Sequence, residues 1–324
     1  MKKHFYLSAI LLTVSFFCIA QQNTIPKDTT FTVWSAWEKI KDYFPVAIPV
    51  KEKLPEGVIE YRNLEYATLE NTLYGTRKLH LDLFRPKGNK KLPALIMIHG
   101  GGWSSGNKNM EVPLAQRIAS YGYVTITVEY QLLPEAKYPA AVKNIKAAIR
   151  WVRANAAKYN INAHKIAISG TSAGGHLAAL VGLSNGIKKF EGELGNQQFS
   201  SSVQGIIVLD GVISFLAPLS LNKERDSSSV DVLWLGGTYT EKPEIWKEAS
   251  PIFYANESSP PMLFINSGIP RFSAGQNELI GLLSQWNIYY EVHSFSAKVH
   301  PFWLFHPWFE PTVQYITDFL NTIF

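Results

Sequence analysis

With 324 residues, 46% hydrophobic and 18% charged, the chain can bury one substantial core, which excludes global disorder. A formal charge of +5 without a long basic run carries no nucleic-acid signature. The single cysteine, Cys18, excludes a disulfide framework within the chain.

The first residues read "MKKHFYLSAILLTVSFFCIAQQ". Lys2 and Lys3 form a positive start, Leu7 to Phe17 an apolar stretch too short to span a bilayer, and Cys18-Ile19-Ala20 a small-x-small cleavage site. Residues 1–20 are therefore expected to be a signal peptide cut after Ala20, sending the protein to the periplasm or the exterior. Bulky Phe17 argues against lipid attachment at Cys18. Loss of Lys2 and Lys3 takes the formal charge from +5 to +3. Loss of Cys18 leaves no thiol for nucleophilic chemistry or zinc–thiolate binding.

Residues 21–57 are polar and proline-punctuated, with one amphipathic stretch, "VWSAWEKIKDYF", and read as an N-terminal arm or cap. From residue 58 to 324, strand-like and helix-like segments alternate. "VIEYRNLEYAT" and "RKLHLDLFRP" predict two opening strands, and "LPALIMIHGG" a buried parallel strand ended by glycines. A helix follows at 111–120, then the strand "YVTITVEYQL" and the long amphipathic helix "YPAAVKNIKAAIRWVRANAAKY", with Pro139 near its start. "KIAISG", "VQGIIVLDG" and "PPMLFINSG" are three further buried strands. "AGGHLAALVGLS" is a helix, as are 275–286 and "TVQYITDFLNTIF", and "YYEVHSF" is the last strand. This alternation predicts one α/β domain with a mostly parallel sheet.

Gly170-Thr171-Ser172-Ala173-Gly174 stands where a strand turns directly into a helix. Such a turn presents Ser172 as a nucleophile. It places the Ala173 N–H at a helix N-terminus, where developing negative charge is stabilised. Independently, His99-Gly100-Gly101-Gly102-Trp103 follows the strand "ALIMI", and glycines there let backbone N–H groups approach an oxyanion. Gly101, Gly102 and Ala173 are the expected oxyanion donors. For the base, "SAKVHPFWLFHPWF" offers His300 and His306. His300, nearer the last strand, is the stronger candidate. His176 reads as a packed helix residue, and His99 as support for the glycine loop.

These residues resemble the α/β-hydrolase superfamily in its "HGGGW" esterase branch, and are similar to secreted bacterial carbohydrate esterases of the acetyl xylan and pectin esterase kind. The resemblance runs from about residue 58 to the end through "HGGGW", "EYQLLPEAKYPAAV", "GTSAGGH" and "VHPFW". It implies a central, mostly parallel sheet of about eight strands flanked by helices, a serine-ester mechanism, and neither metal nor cofactor. The chain departs from the family where an Asp usually follows the strand "PPMLFINSG", since Pro270 and Arg271 stand there instead. Asp210, at the end of the neighbouring strand "GIIVLDG", is the favoured acid because geometry rather than chain position defines a triad. Glu278 and the polar-segment acids Glu224, Asp226 and Asp231 are the alternatives. Asn144, where relatives often have Asp, reads as structural.

Export and the aromatic run beside the base point to an ester-decorated carbohydrate as substrate, with Trp103, Phe302, Trp303 and Trp308 as ring-packing candidates and Arg271 as a partner for a uronate. Against this reading, the same aromatics serve equally to pack the last helix, and Arg271 to form a structural salt bridge. A generalist carboxylesterase or peptidase on the same scaffold is the nearest rival. A non-catalytic binding protein is the reading from a different class, and depends on the acid being absent.

Overall fold

The computed structural model describes Met1 and residues 25–324. The expected signal segment, its cleavage site and Cys18 therefore fall outside the described residues, apart from Met1.

Eight strands form one sheet: β1 Val58–Thr72, β2 Gly75–Pro86, β3 Leu92–Ile98, β4 Val124–Val128, β5 Ile161–Thr171, β6 Gly205–Leu209, β7 Met262–Asn266 and β8 Tyr290–Ser294. Their spatial order is β1-β2-β4-β3-β5-β6-β7-β8. β1 pairs with β2, and β2 with β4, antiparallel; every other pairing is parallel. Four helices lie in crossovers, α1 Val112–Ala119, α2 Ala140–Ala154, α3 Ala173–Leu183 and α4 Gln276–Gln285, and α5 Phe309–Ile323 follows the last strand. No helix among the described residues is long and apolar enough to cross a membrane.

The continuous apolar runs are explained by two cores, one on each face. In β3, Ala94, Ile96 and Ile98 face one and Leu95 and Met97 the other, so the period of two is hidden because both sides are dry. Each isoleucine so buried contributes on the order of 1.5–3 kcal/mol relative to exposure. On the first face α2 lays down Val142, Ile145, Ile149 and Val152 at helical spacing, and α3, buried along its whole length, runs beside it. On the second face α1 and α5 pack together with the N-terminal arm.

Two features exceed the sequence reading. The arm is part of the core: Ala36, Ala47 and Phe44 pack with α5, Phe44 meets Trp308 edge-on at 5.8 Å, and Ile48–Pro49 pairs antiparallel with Phe305–His306. The irregular segment between β6 and β7 carries three short helices, Pro218–Leu221, Val230–Leu235 and Pro243–Glu248, of which the first two border the space beside Ser172. Asn144 is structural as expected, its buried amide oxygen accepting the Gln131 N–H at 3.0 Å.

Candidate active site

The site is assembled where β5, β6 and β7 end, the edge at which a parallel sheet exposes its strand termini. At the end of β5 the chain turns into α3 so tightly that a Cβ added to Gly170 would lie 2.0 Å from the Gly174 carbonyl oxygen. Between them Ser172 is held at φ 54°, ψ −119°, a conformation unfavourable for a residue with a side chain. Its N–H donates to the Leu209 carbonyl at 2.8 Å, tying the turn to the end of β6.

One residue further along β6, Asp210 is also at positive φ (49°) and almost fully buried. A buried carboxylate needs partners. It accepts the Ser267 N–H from beyond β7 at 2.8 Å through Oδ1 and His300 Nδ1–H at 2.7 Å through Oδ2. That bond fixes the proton on Nδ1, leaving His300 Nε2 to accept from the Ser172 hydroxyl at 2.8 Å. The structure thus brings Ser172, His300 and Asp210 into one hydrogen-bonded line. Burial holds the His300 pKa below its ordinary value; the Asp210 hydrogen bond and charge oppose the shift, and the Arg271 charge adds to it. At neutral pH the imidazole is accordingly unprotonated and able to accept a proton. Phe272 stacks flat on it at 3.4 Å and 7°, and Trp303 stands edge-on behind it at 5.4 Å.

The glycine loop after β3 faces the same space. Gly101 has φ +116°, and a Cβ there would meet the Ser105 carbonyl oxygen at 2.0 Å, so only glycine fits. Gly102 and Trp103 also take positive φ. His99 supports the loop from beneath: its Nδ1–H donates to the Gly100 carbonyl at 2.7 Å, its own carbonyl accepts from the Tyr130 hydroxyl at 2.8 Å, and burial lowers its pKa to about 4, keeping it neutral. Ala173 opens α3 on the opposite side of the hydroxyl. His176 is packed, as expected, donating Nε2–H to the Ala249 carbonyl at 2.7 Å and accepting from Trp103 Nε1 at 3.3 Å; burial lowers it too to about 4.

Ser172 opens into a cleft of about 370 Å³, walled by Trp103, Val212, Phe215, Leu219 and Val230 together with Asp28 and Phe31 of the arm. Trp103 and Arg271 border this cleft, as read from the sequence. Phe302 and Trp303 do not. Both are buried in the core beneath α5, so their expected role in gripping a substrate ring is corrected to packing, as it is for Trp308. The short helical turn Phe302–Leu304 aims these side chains inward, a direction that spacing along the chain does not reveal.

His306 is exposed on the short ribbon with Ile48, away from the cleft. Glu278 points outward from α4, Glu224 is exposed, and Asp226 caps its own loop through Ser228 and Ser229. Asp231 reaches the cleft wall but is held by Arg225 at 2.8 Å.

Four residues at or beside the site had no signal in the sequence. Phe272 lies in an undistinguished loop. Asp28 and Phe31 reach the cleft only because the arm folds back, the Phe31 N–H donating to Ser105 Oγ at 3.2 Å. Glu111, fully buried, accepts the Thr171 hydroxyl at 2.7 Å immediately before the serine; burial raises its pKa to about 8, so it is a neutral acid at pH 7.

Residues 81–269 match the BD-FAE family, a span containing the glycine loop, the serine turn and Asp210. The chain belongs to the BD-FAE family. It is an α/β-hydrolase, and His300 and Arg271 lie beyond the matched BD-FAE segment. The esterase LipC of Mycobacterium tuberculosis is 29% identical over 229 residues, covering 69% of this chain and 57% of LipC. Esterase LipQ of the same organism is 30% identical, over 59% of this chain and 46% of its own length. The chain thus spans about half the length of these curated relatives. Among solved structures, a truncated carbohydrate esterase from gut microbiota superposes with TM-score 0.69 at 25% identity, covering 84% of this chain and 99% of that one. A bifunctional GH43-CE protein of Bacteroides eggerthii gives 0.70 at 24% identity over 81% of this chain and 38% of its own, a likeness of fold.

Proposed function

We propose that the protein is a serine esterase acting on carboxylic esters bound above Ser172. The observation that carries this reading is the unbroken line from Asp210 through His300 to the Ser172 hydroxyl, with contacts of 2.7 and 2.8 Å. His300 Nε2 takes the hydroxyl proton as Ser172 Oγ attacks the ester carbonyl. Asp210 keeps the imidazole in the required tautomer and stabilises its cationic form. The oxyanion is held by backbone N–H groups of the Gly101–Gly102 region and Ala173, at the positive end of α3. His300 then returns the proton to the departing alkoxide, and water, deprotonated by the same nitrogen, releases the acid.

For substrate we favour acyl or methyl ester decorations on plant polysaccharides or their oligosaccharides, met after export through the segment 1–20. The reading is supported by the carbohydrate esterase among the structural neighbours and by a cleft whose wall combines apolar and charged side chains. The generalist carboxylesterase is the second reading, favoured by the apolar side of the cleft at Val212, Phe215, Leu219 and Val230 and by relatives named simply as esterases. The test compares release of acetate from an acetylated xylan, or of methanol from methylated pectin, with hydrolysis of p-nitrophenyl acetate, using Ser172→Ala as the control. Polymer activity lost in Ser172→Ala supports the carbohydrate reading. Turnover of the small ester alone supports the generalist, and turnover that survives Ser172→Ala rejects both.

A further inference from the structure

Two cations on the cleft wall, Arg271 and Lys223, lack a counter-charge among the described residues. Arg271 lies in the short turn Pro270–Ser273 beyond β7, beside the base. Apart from Lys223, the other charged groups bordering this part of the cleft are committed. Arg225 and Asp231 hold each other at 2.8 Å; Asp210 is taken by His300 and the Ser267 N–H; Asp28 accepts from the Thr30 N–H at 2.8 Å and the Ser104 hydroxyl at 3.2 Å. Among the described residues Arg271 has neither a carboxylate at ion-pairing distance nor a hydrogen-bond acceptor. Its guanidinium carbon lies 4.2 Å from the centroid of the Phe272 ring, which in turn stacks on His300 at 3.4 Å. An aromatic face supports a cation but does not neutralise it. Arg271 stands exposed at the cleft, where partial desolvation lowers its pKa and the fields of Asp231 and Asp210 offset only part of that. The helix Pro218–Leu221 packs against the same turn, and just beyond it Lys223 borders the cleft, also without an ion pair among the described residues.

A guanidinium presents donors in a fixed fork that a carboxylate fills bidentately. We propose that Arg271, with Lys223 on the same wall, binds a carboxylate carried by the substrate, so that the preferred substrates are esters bearing a second, ionised acid group. This rests on the esterase reading above and narrows its substrate class. The carboxylate belongs either to the alcohol portion, as in a sugar acid or hydroxy acid, or to the acyl portion, as in a dicarboxylic half-ester. Burial is the main reason the His300 pKa is lowered and the Arg271 charge adds the smallest part, so a bound carboxylate that neutralises Arg271 relieves only that part.

Two matched pairs test it at low salt. 4-Acetoxybenzoate against its methyl ester places the charge on the alcohol side; the p-nitrophenyl half-ester of glutarate against p-nitrophenyl pentanoate places it on the acyl side. The expected result is a preference in kcat/KM of about ten- to a hundredfold for the anionic member of one pair, reduced by salt and lost in Arg271→Gln. No preference in either pair, or an equal loss for both members in Arg271→Gln, overturns the proposal. A readout independent of turnover is calorimetric binding of glutarate and of 4-hydroxybenzoate to Ser172→Ala. Binding of one of them that disappears in Ser172→Ala/Arg271→Gln, without hydrolysis of any ester by the native protein, rejects the esterase reading and leaves the carboxylate site standing. Hydrolysis of the neutral esters without Arg271-dependent binding or preference does the reverse.

Discussion

The Phe272 ring lies parallel to the His300 imidazole, 3.4 Å away and inclined by 7°. This contact fixes the plane of the base while its two nitrogens are engaged by Asp210 and Ser172. It also excludes water from one face, contributing to the burial that lowers the His300 pKa. Phe272→Ala should therefore cost about tenfold in kcat through loosened orientation. It should also move the acid limb of the kcat/KM profile upward, because partial re-solvation weakens the burial that lowers the imidazole pKa. A pH–rate series on the native and variant proteins reads both; an unshifted limb would show that the ring does not shield the base.

Asp210→Asn should leave the fold intact, since the amide oxygen can still accept the Ser267 N–H. It replaces the carboxylate that orients His300, and kcat is expected to fall by roughly 10³–10⁴. Without that charge, burial acts on the imidazole unopposed, so the residual acid limb should lie lower still than in the native protein. Circular dichroism establishes the fold, and kinetics from pH 4 to 8 establish the rest.

Gly101→Ala places a methyl group where the Ser105 carbonyl oxygen already lies, at a φ that disfavours any side chain. The loop must shift, and with it the N–H groups aimed above Ser172. A loss of about 10²–10³ in kcat with little change in KM is expected. If KM rose and kcat held, the loop would be a binding wall and not an oxyanion support.

Glu111 makes stability depend on pH in a defined direction. Its folded pKa of about 8 exceeds the usual carboxyl value of 4.5, so between these limits the folded state holds a proton that the unfolded state has lost. Its contribution is fully present below about pH 4.5 and declines as pH rises towards 8, by on the order of 1.4 kcal/mol per pH unit. Glu111→Gln keeps a hydrogen-bonding partner for Thr171 and cannot ionise, so its melting temperature should fall less steeply between pH 5 and 8. Parallel slopes would mean that Glu111 is ionised in the fold.

The sequence by itself determined what neighbouring residues enforce. The runs of β3, β5, β6 and β7 are legible because strands dry on both faces must be apolar throughout, and the serine turn and glycine loop because crowding admits only glycine at Gly170 and Gly101. What joins distant residues needed the tertiary structure. Asp210 and His300 are 90 residues apart, and the sequence offered Glu278 and three further acids for the place beside the imidazole. The β6–β7 register and the loop after β8 decide which carboxylate lies at 2.7 Å. The same holds for the aromatics after His300. Composition cannot distinguish a ring turned to solvent from one turned inward, and the backbone of Phe302–Leu304 turns Phe302 and Trp303 into the core. Asp28 and Phe31 reach the cleft, and Phe272 reaches the base, through folding of the chain back upon itself, which leaves no periodic trace in the residues concerned.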